Sequence, residues 1–94
     1  AMRPRLIGSA VVKRLGANPV GVVFDERNER LAVRRALAAV CWSVANRKPL
    51  RTFATRTAIE GQEYLAHETV FLPLTSDKDD IDMMATVSAF LPIL

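Results

Sequence analysis

The sequence predicts an α+β fold: an antiparallel β-sheet with short helices and one long helix packed on one face, in a single domain over residues 1–94. Three observations predict it. A segment bounded by glycines opens the chain, one long amphipathic helix follows, and segments with strand character fill the second half. Because the helices are grouped between strands, the sheet is expected to be antiparallel.

Composition narrows the class of protein. Hydrophobic residues make up 50% of the chain and charged residues 24%, which is typical of a globular domain. The net charge of +3 is small for a nucleic-acid binder. A single cysteine excludes an internal disulfide, apolar runs are shorter than the roughly 20 residues of a membrane span, and no signal peptide opens the chain. We therefore expect a cytoplasmic protein with no membrane partner.

The first quarter of the chain predicts short elements. Residues 3–8 are interpreted as the end of a strand at a sheet edge. A short helix is predicted over Ser9–Leu15, with Ser9 as its N-cap and Gly16 as its C-terminal stop. Residues 17–28 are too interrupted for a long element.

The clearest element is a helix from about Glu26 to Asn46. Asp25 is placed to cap it, and Glu26 and Glu29 favour the positive end of its dipole. Pro49 cannot continue the helix. Spacings of four, three and four residues predict one apolar stripe, which consists of Val33, Leu37, Val40 and Val44.

Strand character dominates afterwards. Residues 50–58 are rich in Thr and alternate in character, and 63–74 form the longest strand candidate. Residues 60–62 predict a hairpin-type turn between them, and 75–80 a polar, acidic turn. Residues 81–91 stay open between a helix and a last strand, because Met and Ala favour the former while Thr and Val favour the latter.

Several short motifs recur in a definite order along the chain. They are Arg5-Leu6-Ile7-Gly8-Ser9, the pair Gly16 and Gly21, Arg47-Lys48-Pro49, Leu72-Pro73-Leu74 with the acidic turn, and Ile81-Asp82. In this order the chain resembles a bacterial PAS-like family, whose members are sensory and docking domains. The resemblance places residues 83–90 on the last strand. It also implies a further strand ahead of Arg5 that this sequence lacks; either the chain begins within the domain, or a partner supplies that strand.

No residue pattern in the chain predicts catalysis. Glu60, Glu63 and Glu68 have no partnered His, Ser or Lys, the glycines match neither nucleotide fingerprint, and the acidic turn lacks the glycine and closing Glu of a calcium loop. We predict that the protein is not an enzyme and has no metal site. The sequence identifies no particular cofactor, and the cofactor is unknown at this point.

Three other residue groups have plain interpretations. His67, the only histidine, is interpreted as a sheet-surface residue near its ordinary pKa of about 6.5 rather than a haem ligand. Cys41 is interpreted as a packed structural residue rather than a redox sensor. Arg27, Arg30 and Arg34 are placed on one face of the long helix, as a solvated face or, less favoured, an anion or nucleic-acid patch.

The PAS resemblance implies a ligand pocket between the long helix and the inner sheet face. The helix stripe would form one wall, and the other candidate pocket residues are Phe53, Val70 and Leu72. A simply filled core is the alternative in so small a domain.

The strand over 63–74 is apolar on both sides, which predicts that a partner covers the sheet face away from the helix. We therefore expect a sensory or regulatory domain that forms a homodimer through its outer sheet face, with a possible small-molecule ligand. The alternative is a ligand-free interaction module of the same fold. Nucleic acid is the least favoured partner.

Overall fold

The computed structural model describes residues 2–16, 18–59, 61–62, 64–75 and 80–93. Within these ranges the elements, in chain order, are helices α1 (Ser9–Leu15) and α2 (Leu31–Asn46) and strands β1 (Leu50–Ala54), β2 (Leu65–Leu74) and β3 (Met83–Pro92). The strands form one antiparallel sheet, so the predicted α+β class is confirmed.

The sheet has the order β1-β2-β3, with β2 in the centre. Leu50 of β1 lies opposite Phe71, and β2 pairs with β3 without interruption from Leu65 opposite Pro92 to Leu74 opposite Met83. The segment 81–91, for which the sequence allows either a helix or a strand, therefore forms most of the strand β3. Continuous pairing with β2 outweighs the helical preference of its methionines, because strand preference depends on cross-strand neighbours.

The short helix α1 has the predicted bounds, and its C-terminal stop is confirmed. Gly16 adopts the left-handed conformation with φ 77°, and its N–H donates to the Val12 carbonyl. The predicted N-cap is wrong: Gly8 holds that position, and no side chain caps the helix. The predicted strand over 3–8 is also wrong, since the described pairing there is one β-bridge that joins Met2 to Phe24.

The long helix begins at Leu31 rather than at Glu26. The Asp25 carboxylate accepts hydrogen bonds from the Arg27 backbone N–H at 3.0 Å and the Arg27 guanidinium at 2.7 Å. The Asn28 side chain accepts one from the Arg30 N–H at 2.9 Å, and Arg30 is the N-cap of α2. Asp and Asn side chains thus satisfy the backbone in a non-helical conformation and delay the helix.

This late start corrects three expectations. Asp25 does not cap α2, and neither Glu26 nor Glu29 lies in its first turn. Arg27 and Arg30 precede the helix, so they share no helical face with Arg34.

The strand over 50–58 ends at Ala54, and the connection to β2 is longer than a hairpin turn. The Thr57 N–H donates to the Leu65 carbonyl at 2.8 Å, and the Thr57 hydroxyl accepts from the Ile59 N–H at 3.3 Å. Of the predicted turn at 60–62, Gly61 has φ 79° and residue 60 lies outside the described residues. The acidic turn predicted over 75–80 lies outside them except at Thr75 and Asp80.

Alternate residues of β2 divide the sheet into two faces. Leu65, Thr69 and Phe71 are buried and lie on one side, whereas on the other side Ala66 is buried and Leu72 and Leu74 are exposed. By the strand register, the inner face consists of Leu50, Thr52, Ala54, Leu65, His67, Thr69, Phe71, Pro73, Met84, Thr86, Ser88, Phe90 and Pro92. The outer face consists of Arg51, Phe53, Ala66, Glu68, Val70, Leu72, Leu74, Met83, Ala85, Val87, Ala89 and Leu91.

Small residues of α2 pack against the inner face. Ala39 and Ser43 are buried and, with the half-buried Ala32 and Ala36, follow one side of the helix at spacings of four, three and four. The predicted stripe lies one residue further along at every position. Its members are half-buried, apart from Val44, which is exposed, so that they flank the packed side of α2 rather than form it.

The short helix α1 approaches the inner face near the C-terminal end of β3. The Arg14 guanidinium carbon lies 5.8 Å from the centroid of the Phe90 ring, and the Gln62 side-chain amide donates to the Arg14 carbonyl. The helix α2 therefore supplies most of the cover of the inner face, and α1 lies on the same side of the sheet near Phe90.

The close approach of α2 to the sheet gives a test of this packing. Ala39→Leu adds a large side chain where Ala39 is 7% exposed, so we expect it to lower the free energy of unfolding by about 1–3 kcal/mol. The matched control is Ala45→Leu on the exposed side of the same helix, which should stay within about 0.5 kcal/mol of wild type. Urea unfolding followed by circular dichroism measures both, and equal effects would contradict the packing.

Candidate functional site

The outer face of the sheet is apolar at every position except Arg51 and Glu68. Several of its large side chains are substantially exposed, with Val87 at 65% and Phe53 at 56%. The other exposed large residues of this face are Leu72, Leu74, Met83 and Leu91. By the strand register Leu74 lies opposite Met83, Leu72 opposite Ala85 and Val87 opposite Val70, so apolar side chains of β2 and β3 adjoin one another along most of their length. Monomeric proteins rarely expose a contiguous apolar patch of more than a few hundred Å².

The two charged residues of the outer face neutralise each other. Arg51 Nε lies 2.9 Å from one Glu68 carboxylate oxygen, and Arg51 Nη2 lies 3.3 Å from the other. This two-pronged contact lowers the pKa of Glu68 and raises the pKa of Arg51. The strands therefore contribute no net charge to the face at neutral pH; the Arg5 guanidinium reaches its margin, where Nη1 lies 3.6 Å from Met83 Sδ.

The seven candidate pocket residues lie in two separate places. Val33, Leu37, Val40 and Val44 lie on α2, on the inner side of the sheet. Phe53, Val70 and Leu72 lie on the outer face. The sheet separates the two groups, so the structure does not bring them together around one cavity. The spacing of apolar residues predicts which residues share one side of a strand or helix. It does not predict which side of a strand the helix packs against.

The inner face carries a hydrogen-bonded chain of polar side chains. His67 Nε2 lies 2.9 Å from the Thr69 hydroxyl, which lies 3.0 Å from the Ser88 hydroxyl, and His67 Nδ1 lies 3.3 Å from the Thr57 hydroxyl. The His67 ring stacks on Phe90 with 4.3 Å between centroids. Burial lowers the pKa of His67, so the expected surface histidine with an ordinary pKa is wrong.

Two open clefts occur on the described part of the chain. One of about 200 Å³ is lined by Glu26, Arg34, Leu37, Ala38 and Cys41. The other, of about 430 Å³, is lined by Ala10, Lys13, Arg14, Gln62 and Tyr64. Cys41 is exposed in the first cleft, because it lies on the side of α2 away from Ala39 and Ser43; the expectation of a packed cysteine is wrong.

The geometry defines a small α+β domain with one covered and one open sheet face. Comparisons with protein-family models, curated proteins and solved structures give no match to this chain. The PAS resemblance therefore stays a prediction.

Among the described residues there is no group of three or more His, Cys, Asp or Glu side chains that could hold a metal ion. None of the helices described is long and apolar enough to cross a membrane.

The buried position of His67 predicts a pH dependence of stability. Because its pKa is lowered in the folded state, the unfolded chain binds more protons below its ordinary pKa of about 6.5. The free energy of unfolding should therefore fall as the pH is lowered from about 7.5 to about 5.5. Asp25 and Glu68 have lowered pKa values and ordinary values near 4, so their stabilising effect is retained over this range.

Urea unfolding at fixed protein concentration measures this dependence. His67→Gln keeps a side chain that can donate and accept hydrogen bonds but does not titrate. The variant should lose most of the decrease between the two pH values. The same pH slope in wild type and variant would show that another group is responsible.

Proposed function

We propose that this domain is a protein–protein interaction module whose outer sheet face binds a second copy of the chain. The observation that carries the proposal is the apolar, substantially exposed outer face, with Val87 and Phe53 more than half exposed. Burying such a surface is the main favourable term in protein association. A regulatory role, as in the PAS-like domains that the sequence resembles, would follow if a signal changes this association.

The outer face suits a copy of itself for two reasons. A two-fold dimer places the same patch on both sides of the interface, so a patch with net charge would repel its own copy. Here the Arg51–Glu68 pair cancels the charges that the strands contribute to the face, and the Arg5 guanidinium contacts its margin, with Nη1 3.6 Å from Met83 Sδ. The second reason is size: the ten-residue strands are about 33 Å long and the three strands together about 14 Å wide, so the face spans roughly 460 Å², which suits a weak, concentration-dependent dimer.

A small-molecule sensor is the second candidate function. The cleft lined by Lys13, Arg14, Gln62 and Tyr64, at about 430 Å³, lies in the size range of small-ligand sites. A ligand would therefore bind between α1 and the connection to β2, rather than between α2 and the sheet. Native mass spectrometry of freshly purified protein tests this: a mass excess that is lost on denaturation would support a sensor, and its absence would favour the ligand-free module.

The dimer proposal is tested by a charge in the middle of the outer face. Leu72 lies on the central strand and is 38% exposed, so Leu72→Lys should fold yet place an ammonium group within the interface. We expect the association constant of the outer-face contact to fall about tenfold or more, which corresponds to about 1.4 kcal/mol. Sedimentation equilibrium over a range of micromolar concentrations measures the change.

The matched control is Leu6→Lys, which adds the same charge at a residue that is 92% exposed and lies off the sheet. It should associate as wild type does. Circular dichroism checks that both variants are folded. Identical association of wild type and Leu72→Lys would overturn the outer-face dimer.

A further inference from the structure

The strand β3 presents an unprotected edge. It lies at the end of the sheet, and among the described residues no strand pairs with its far side. Its residues Met83–Pro92 contain no charged side chain, and the first proline is the last residue; the Arg5 guanidinium contacts the strand at its first residue, Met83. The pairing with β2 has no bulge. Natural edge strands usually carry a charge, a proline, a bulge or a short length that prevents pairing with another chain.

The other edge of the sheet differs in these respects. β1 has five residues, half the length of β3, and Arg51 lies near its start. The absence of a protecting device is thus specific to β3 within the described sheet.

The sequence of β3 is chemically symmetric about Val87. Ala85 and Ala89 lie two residues on either side of it, and Thr86 and Ser88 lie one residue on either side. The next positions outward hold Met84 and Phe90, and then Met83 and Leu91. Read in either direction from Val87, the order is a hydroxyl residue, an alanine and two large apolar residues.

From this symmetry we infer that β3 pairs antiparallel with β3 of a second copy, about a two-fold axis through Val87. On the outer face, Ala85 then lies opposite Ala89 of the second copy, and Val87 opposite Val87. On the inner face, Thr86 lies opposite Ser88. Small residues face small ones and hydroxyls face hydroxyls, which is the cross-strand pairing that stabilises sheets.

The larger pairs fit in the same register. Met83 lies opposite Leu91 of the second copy on the outer face. On the inner face Met84 lies opposite Phe90, and a thioether beside an aromatic ring is a favourable contact.

Other registers lack this match. A slip of one residue would place outer-face side chains of one copy beside inner-face side chains of the other, which the pleat forbids. A slip of two residues would pair Thr86 with itself and Ser88 with Met84, or Ser88 with itself and Thr86 with Phe90, so that one hydroxyl residue always faces a large apolar one. The chemistry of β3 therefore selects the register centred on Val87.

Edge pairing does not rest on the proposed outer-face dimer, because it uses backbone groups of a different surface. It would join two sheets into one of six strands whose outer faces lie on the same side. Two such six-stranded sheets can then stack through their outer faces, which gives a closed tetramer with perpendicular two-fold axes.

Disulfide trapping on the inner face tests the edge contact. One chain carries Thr86→Cys and another carries Ser88→Cys, each with Cys41→Ser to remove the exposed native thiol. Opposed antiparallel residues have Cα atoms about 4.5–5.5 Å apart, which suits a disulfide. Because both residues lie on the inner face, outer-face stacking cannot bring them together.

Under mild oxidation we expect covalent dimers in a mixture of the two folded chains, and far fewer with either chain alone. This result would establish both the contact and its register. A mixture that gives no more covalent dimer than the separate chains would overturn the inference.

A charge at the edge provides a second, non-covalent test. Thr86 is exposed, and Thr86→Lys places an ammonium group beside Ser88 of the second copy. We expect a lower mass in sedimentation equilibrium and loss of the concentration-dependent hydrogen-exchange protection of residues 83–91. Thr55→Lys, at an exposed threonine outside the strands, should change neither. Protection of 83–91 that does not depend on concentration in wild type would count against edge pairing.

The two contacts can fail separately. If only the edge contact exists, the protein is a dimer, Leu72→Lys leaves its mass unchanged and the cysteine mixture still cross-links. If only the outer-face contact exists, Leu72→Lys lowers the mass and the mixture does not cross-link.

Discussion

Both faces of the sheet carry large apolar side chains, and the helices lie against only one of them. α2 lies against the inner face through Ala39 and Ser43, and α1 lies over the same side at Phe90. A β-sheet needs cover on each face that is apolar. The outer face, with Val87 and Phe53 more than half exposed, therefore keeps a hydrophobic surface that the described chain does not bury. The proposed function rests on this difference between a covered inner face and an exposed outer face.

The two faces also differ in how many polar side chains they carry. The inner face holds Thr52, Thr69 and Ser88 with His67, joined by hydrogen bonds that satisfy them away from water. The outer face holds a single, mutually neutralised ion pair among aliphatic and aromatic side chains. The covered face is thus the more polar one. An apolar face of this kind, open to water, is the basis of the proposed outer-face contact.

Sequence reasoning located most elements, because local signals determine them. Gly16 ends α1 where a positive φ is required, and alternation with β-branched residues marks the strands. The start of α2 was missed because Asp25 and Asn28 form side-chain turns, which compete with capping for the same residue types. The candidate pocket residues lie on both sides of the sheet because periodicity cannot tell which face of a strand a helix covers. Small residues gave too weak a hydrophobic signal to identify the packed side of α2.

The two proposed contacts together limit the size of the assembly. An edge strand that pairs with any other strand leads to open, growing sheets, whereas a β3 that pairs with its own copy would leave no second β3 edge free. Growth at the opposite edge is opposed by the short length of β1 and by Arg51. Outer-face stacking about a perpendicular axis consumes the remaining apolar surface. A chain with an unprotected strand and an open apolar face can in this way form a finite complex rather than an aggregate.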